Sequence, residues 1–138
     1  MGMYTEIIFG AWLKKDLPQD VVDTINILVN ADVQELKDFC QSSSAPDHPF
    51  FQSERPWLLQ SGGSYYFPQV MRTEFMYDKT SEQYSLCFRT NIKNYDGEIE
   101  DFLDWIKPYI EYGSGDKGFY AIVCYESDSI PTIYYLRD

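Results

Sequence analysis

The chain has 138 residues, 44% hydrophobic and 24% charged, with a formal net charge of −11. That length and mixture fit one soluble globular domain with its own core and exclude an intrinsically disordered chain. Lys14-Lys15 is the only adjacent basic pair, so the charge excludes a surface built to hold a phosphate backbone and makes a basic partner the electrostatic complement.

Residues 4–13 read as a strand, with Ile7, Phe9, Ala11 and Leu13 on one face and Glu6, Ile8 and Trp12 on the other. After Lys14-Lys15, Asp16 is the expected cap of a helix that Pro18 starts, and Val21, Val22, Ile25, Leu28 and Val29 share one side of it. Asn30 suits a left-handed terminator. Asp32, with Glu35 three residues on, predicts a capped second helix whose apolar side holds Val33, Leu36, Phe39 and Cys40.

Residues 41–56 contain three consecutive serines and prolines at 46, 49 and 56. They show neither helical nor strand periodicity, and a long, mobile loop is expected. Trp57-Leu58-Leu59 should pack on the body. Gly62-Gly63 suits a turn or hinge, and Tyr65-Tyr66-Phe67 ends at Pro68.

Residues 71–77 and 84–92 read as an antiparallel hairpin across a short polar connection. In its second strand Tyr84, Leu86, Phe88, Thr90 and Ile92 should be buried, with Ser85, Cys87, Arg89 and Asn91 on a wetter face. A third helix follows, with Ile99, Phe102, Leu103 and Ile106 at i, i+3, i+4, i+7 spacing. Asn94 or Asp96 caps its start, Glu98, Glu100 and Asp101 complement its dipole, and Pro108 bends or ends it. Gly113 to Asp116 form a flexible exit. Residues 119–125 are apolar on both faces, as in a strand with neighbours on both sides, and Pro131 confines residues 132–136 to an edge. The whole, residues 1–138, is expected to be a single α+β domain: a mainly antiparallel sheet with about three helices packed on one face. Met1-Gly2 reads as a cloning scar before a native start at Met3.

Chemical signatures are sparse. The one histidine, His48, lies in the proline-rich loop and reads as solvated rather than as a catalytic base. Nucleophile elbows, phosphate-binding glycine loops and zinc-protease motifs are all missing from the sequence. Cys40, Cys87 and Cys124 form no metal spacing and are expected to be reduced, mostly buried thiols. Glu126 and Asp128 share a turn that would touch a cation only weakly. Neither a cofactor nor a metal is expected, no catalytic residue is assigned, and the chain is not expected to be an enzyme. The sharpest feature is the acidic side of the third helix, where Glu100, Asp101, Asp104 and Glu111 lie opposite the apolar face. Lys107 among them is placed to pair with Asp104 or Glu111. Glu100, Asp101, Asp104 and the bordering Trp105 are the candidate partner-binding residues; the alternative is an ordinary solvated helix face, with Trp105 packed as a flank of the core.

Residues 91–110, Asn-Ile-Lys-Asn-Tyr-Asp-Gly-Glu-Ile-Glu-Asp-Phe-Leu-Asp-Trp-Ile-Lys-Pro-Tyr-Ile, resemble a segment in small uncharacterised proteins of bacteriophages and prophages. Tyr4-Thr-Glu-Ile-Ile-Phe-Gly and Leu13-Lys-Lys-Asp-Leu-Pro are similar to the same group. The resemblance implies a phage origin and action in the bacterial cytoplasm, and it brings no active site with it. The expected function is that of a small acidic accessory protein acting by protein–protein contact, on a host factor. A self-associating protein that pairs through its edge strand at residues 132–136 is the alternative, followed by a carboxylate-dependent enzyme. Direct nucleic-acid binding and membrane association are not expected, since the chain lacks an apolar run long enough to span a bilayer.

Overall fold

The structure, a computed structural model, describes residues 3–60, 62–64, 72–112 and 117–137. The expectations for Met1-Gly2, Tyr65 to Pro68, Met71 and Gly113 to Asp116 lie outside the described residues. The fold is α+β. A five-stranded antiparallel sheet runs in the order β2-β3-β1-β4-β5, formed by β1 (Thr5–Trp12), β2 (Glu74–Asp78), β3 (Gln83–Ile92), β4 (Phe119–Tyr125) and β5 (Thr132–Tyr135). Three helices, α1 (Gln19–Asn30), α2 (Val33–Gln41) and α3 (Glu98–Ile106), contribute to one buried cluster on one face of it.

Local chemistry accounts for most boundaries, with corrections. Asp16 does not cap α1: Pro18 occupies the cap position, and the Asp20 carboxylate accepts the Val21 N–H at 3.1 Å instead. Asn30 stays helical and the chain leaves α1 through an extended Ala31. No left-handed terminator is needed there, because the Gln60 amide donates to the Leu28 and Ala31 carbonyls. Asp32 does cap α2, accepting the Glu35 N–H at 2.8 Å. That N–H holds the Asp32 carboxyl below its ordinary value. On α2 only Leu36 is fully buried, and Val33 faces out.

α3 buries Ile99, Phe102, Leu103 and Ile106, as the spacing predicts, and its last turn tightens into a 3-10 turn at Lys107–Tyr109 that contains Pro108. Neither Asn94 nor Asp96 occupies the cap position, which falls to Gly97 in left-handed conformation (φ 74°); Asn94 still serves the first turn, its side-chain oxygen accepting the Ile99 N–H at 2.9 Å. Asp96 turns away to Arg55 at 3.0 Å.

The expectation of an irregular loop over residues 41–56 is corrected at its centre. Pro49–Gln52 forms a 3-10 turn, and Phe50 and Phe51 are buried. Their rings meet Phe102 and Trp105 edge-on, at centroid distances of 5.4 and 5.1 Å. Phe9 and Phe88 stack beneath at 5.2 Å, and both contact Phe102. The core therefore centres on an aromatic cluster around Phe102, where edge-to-face geometry adds to burial.

The other sheet face carries Glu6, Ile8, Gly10 and Trp12 from β1 and Ser85, Cys87, Arg89 and Asn91 from β3, whose rungs are directly paired. The expectation of a uniformly wetter face fails at Arg89, which is buried, as is Glu6. Cys87 is exposed and Cys40 and Cys124 are half-buried, so the thiols are in no disulfide but are not mostly buried. Burial still pushes the Cys40 and Cys87 thiols up.

Candidate functional site

Asn94 orients the start of α3 and also fixes its acidic side. While its oxygen accepts the Ile99 N–H of the first turn, its amide nitrogen donates to both Glu100 carboxylate oxygens, at 2.6 and 3.1 Å. Glu100 is thus held toward β4 and β5. A groove of about 530 Å³ opens there, lined by Asn94, Tyr95, Glu100, Tyr125, Asp128 and Tyr134, with Thr5 and Val123 at its floor. None of its described lining residues is basic. Tyr120, displaced inward by a bulge between Phe119 and Ala121, lies beside Tyr134 at 6.3 Å.

The electrostatics follow from this placement. Burial first, then the Glu100 charge, pushes the Tyr134 hydroxyl up; burial, Tyr134 and Asp104 do the same at Tyr120. The charges of two helix acids, Glu100 and Asp104, therefore act on these tyrosines although both side chains are exposed. Because both folded values lie above the ordinary one near 10, the neutral hydroxyls favour the fold fully below about pH 10. That contribution is lost as pH rises through the folded values. Spectrophotometric titration should show tyrosinate absorbance that lags the ordinary curve, and Tyr134→Phe should remove part of the lagging amplitude. A single ordinary curve would refute the buried-hydroxyl geometry.

The remaining candidates separate. Asp101 is half-buried on the flank of α3. Asp104 pairs with His48, Nε2 to Oδ2 at 2.8 Å, and not with Lys107. His48 is accordingly not solvated. Its Nδ1 accepts the Phe50 N–H at 3.1 Å, which places the ring hydrogen on Nε2, where it is donated to Asp104. Both ring nitrogens are spent on holding the Phe50–Phe51 turn against α3, leaving neither for proton transfer in this arrangement. Trp105 is buried between Phe51, Phe102 and Tyr109, so it is a core residue and not an exposed anchor. Glu126 accepts the Tyr4 N–H at 2.8 Å, which leaves Asp128 as the acid of that turn facing the groove.

Sequence reasoning missed Glu98, which is fully buried. One of its carboxylate oxygens accepts from Arg55 at 3.1 Å and the other from the Asp96 N–H at 3.2 Å. Arg55 also covers Tyr95 at 5.3 Å from the ring centroid. Glu98, with the Asp96 carboxylate, holds the guanidinium above its ordinary value. A basic residue at the end of a proline-rich segment gives no local sign of a partner 43 residues away. The groove tyrosines were equally hidden, because they come from three separate segments.

Among the described residues no group of three or more His, Cys, Asp or Glu side chains is arranged to hold a metal ion, and no helix is long and apolar enough to cross a membrane. Comparison with protein-family models, with curated proteins and with solved structures returns no match for this chain.

Proposed function

We propose that this chain is a small acidic accessory protein that acts by gripping a basic segment of another protein in the groove between α3 and the β4–β5 edge. The observation that carries the reading is the composition of that groove: Glu100 and Asp128 stand beside Tyr125 and Tyr134, and none of the described lining residues is basic. Tyrosine faces attract a lysine or arginine head group by cation–π contact, and the two carboxylates beside them add to the attraction. The chain's net charge of −11 would steer a basic partner toward it from a distance. The segment-level resemblance to phage proteins makes a bacterial host protein in the cytoplasm the first partner to test. A binding role rather than catalysis is the function proposed.

The test is fluorescence anisotropy with a labelled Lys/Arg-rich peptide across a salt series. Wild type should bind, and affinity should fall as salt shortens the reach of exposed charge to about 8 Å near physiological ionic strength. The double variant Glu100→Lys, Asp128→Lys should bind at least about tenfold more weakly at low salt, with the difference shrinking at high salt. Both side chains are exposed, so the fold should survive, and circular dichroism checks that. Equal binding by the folded double variant at every salt would reject the groove as the site.

A further inference from the structure

Among the described residues the helices cover one face of the sheet; on the other, Glu6 and Arg89 are buried and the far end is exposed. At one end of that face Trp12, Met76, Phe119, Ile133 and Tyr135 are exposed at 41–57%. Between them Gly10 and the small Cys87 keep the surface flat; a Cβ on Gly10 would already lie 3.6 Å from the Cys87 sulfur. A flat, apolar, twisted sheet face is the surface that another sheet covers, about 10 Å away with strands near-aligned.

We propose that the occupant is a second copy of this chain, packed face to face about a two-fold axis parallel to β1. Charge supports this choice. The chain as a whole carries −11, so two copies repel across most of their surfaces. On this face Arg72 and Arg89 stand with the single acid Glu74 around the depression beside Cys87, and Lys117 stands over Tyr135 at 5.7 Å. The open face is thus a route by which two such acidic molecules meet without stacking like charge on like charge.

Register supplies the complementarity. Glu74 pairs with Cys87, and Cys87 with Gly10. Gly10 is level with the β4 bulge, where Phe119 pairs with Tyr135. Glu74 at one sheet edge and the Lys117–Tyr135 pair at the other therefore share one level along the strands. A two-fold axis parallel to β1 keeps that level and exchanges the edges. It sets Glu74 of each copy against Lys117 of the other, twice, and brings Trp12 near its own symmetry mate on the central strand. Among the described residues neither Glu74 nor Lys117 enters an ion pair within the chain. Five strands at about 4.8 Å spacing make the face only roughly 19 Å wide, so the area fits a concentration-dependent dimer rather than an obligate one.

Sedimentation across a concentration series tests this with the whole chain. Wild type should pass from monomer to dimer. Glu74→Lys and Lys117→Glu should each weaken association at least about tenfold, and the double variant should restore it. Glu74→Lys lowers the net negative charge, so weakening by that variant cannot come from general repulsion. A strict monomer overturns the proposal. A dimer indifferent to both charge reversals overturns it as well.

Discussion

Replacing Phe102 by alanine is expected to lower the stability of this chain by about 3–5 kcal/mol, because lost transfer energy and an unfilled cavity add. The ring is fully buried and touches Phe9, Phe50, Phe88 and Trp105 at centroid distances of 5.4–6.1 Å. Those neighbours come from both central strands, from α3 and from the Pro49–Gln52 turn, so collapse into the hole would have to move several elements at once. A domain of this size has about 5–15 kcal/mol in total, and the variant should sit near the edge of folding. Chemical denaturation monitored by tryptophan fluorescence measures the change. A midpoint within error of wild type would mean that Phe102 does not fill the centre of the core.

Phe50→Ala is expected to cost a similar amount, about 3–5 kcal/mol, although its segment has no regular periodicity. Phe50 is as fully buried as Phe102 and lies edge-on to it at 5.4 Å. The two losses should not add. Once one ring is gone the other has lost its edge-to-face partner, and the double variant should fall short of the sum by about 0.5–1.5 kcal/mol. A full double-mutant cycle measures this coupling. Strict additivity would show that the turn and α3 do not share one packing unit. A negligible effect of Phe50→Ala alone would return the segment to the status of a loose loop.

These two rings show where the sequence was legible and where it was not. Phe102 was readable because α3 repeats its apolar residues at helical spacing, and one face of one helix is a local property. The alternation of β3 was readable for the same reason. Phe50 was not: a short 3-10 turn bounded by prolines has no period to detect, and its burial is decided by α3, far along the chain. Glu98 illustrates the same limit with opposite polarity. On local grounds it is a first-turn acid that complements the helix dipole, yet Arg55 and the Asp96 N–H permit its complete burial. Trp105 stood at the border of the apolar arc, where a helical wheel decides nothing; the Phe51 ring decided it. Of the candidate site, the acids on α3 were legible and the tyrosines opposite them were not, because the sheet order that brings β4 and β5 beside α3 is a tertiary property.

The strand order also governs how the molecule is made. β1 is the middle of the sheet, yet Thr5 pairs with Ile92 on one side and Tyr125 on the other. On the ribosome, at roughly 5–20 residues per second, the nascent β1 emerges several seconds before either partner strand exists. Until then Ile7, Phe9 and Leu13 have no sheet to join, whereas α1 and α2 need only local contacts to begin forming. The slow event in folding is therefore the closing of both long loops around β1, which waits until β3 and β4 have been made. Conditions that slow elongation or deplete chaperones should reduce the soluble yield of this small protein more than its size alone would suggest.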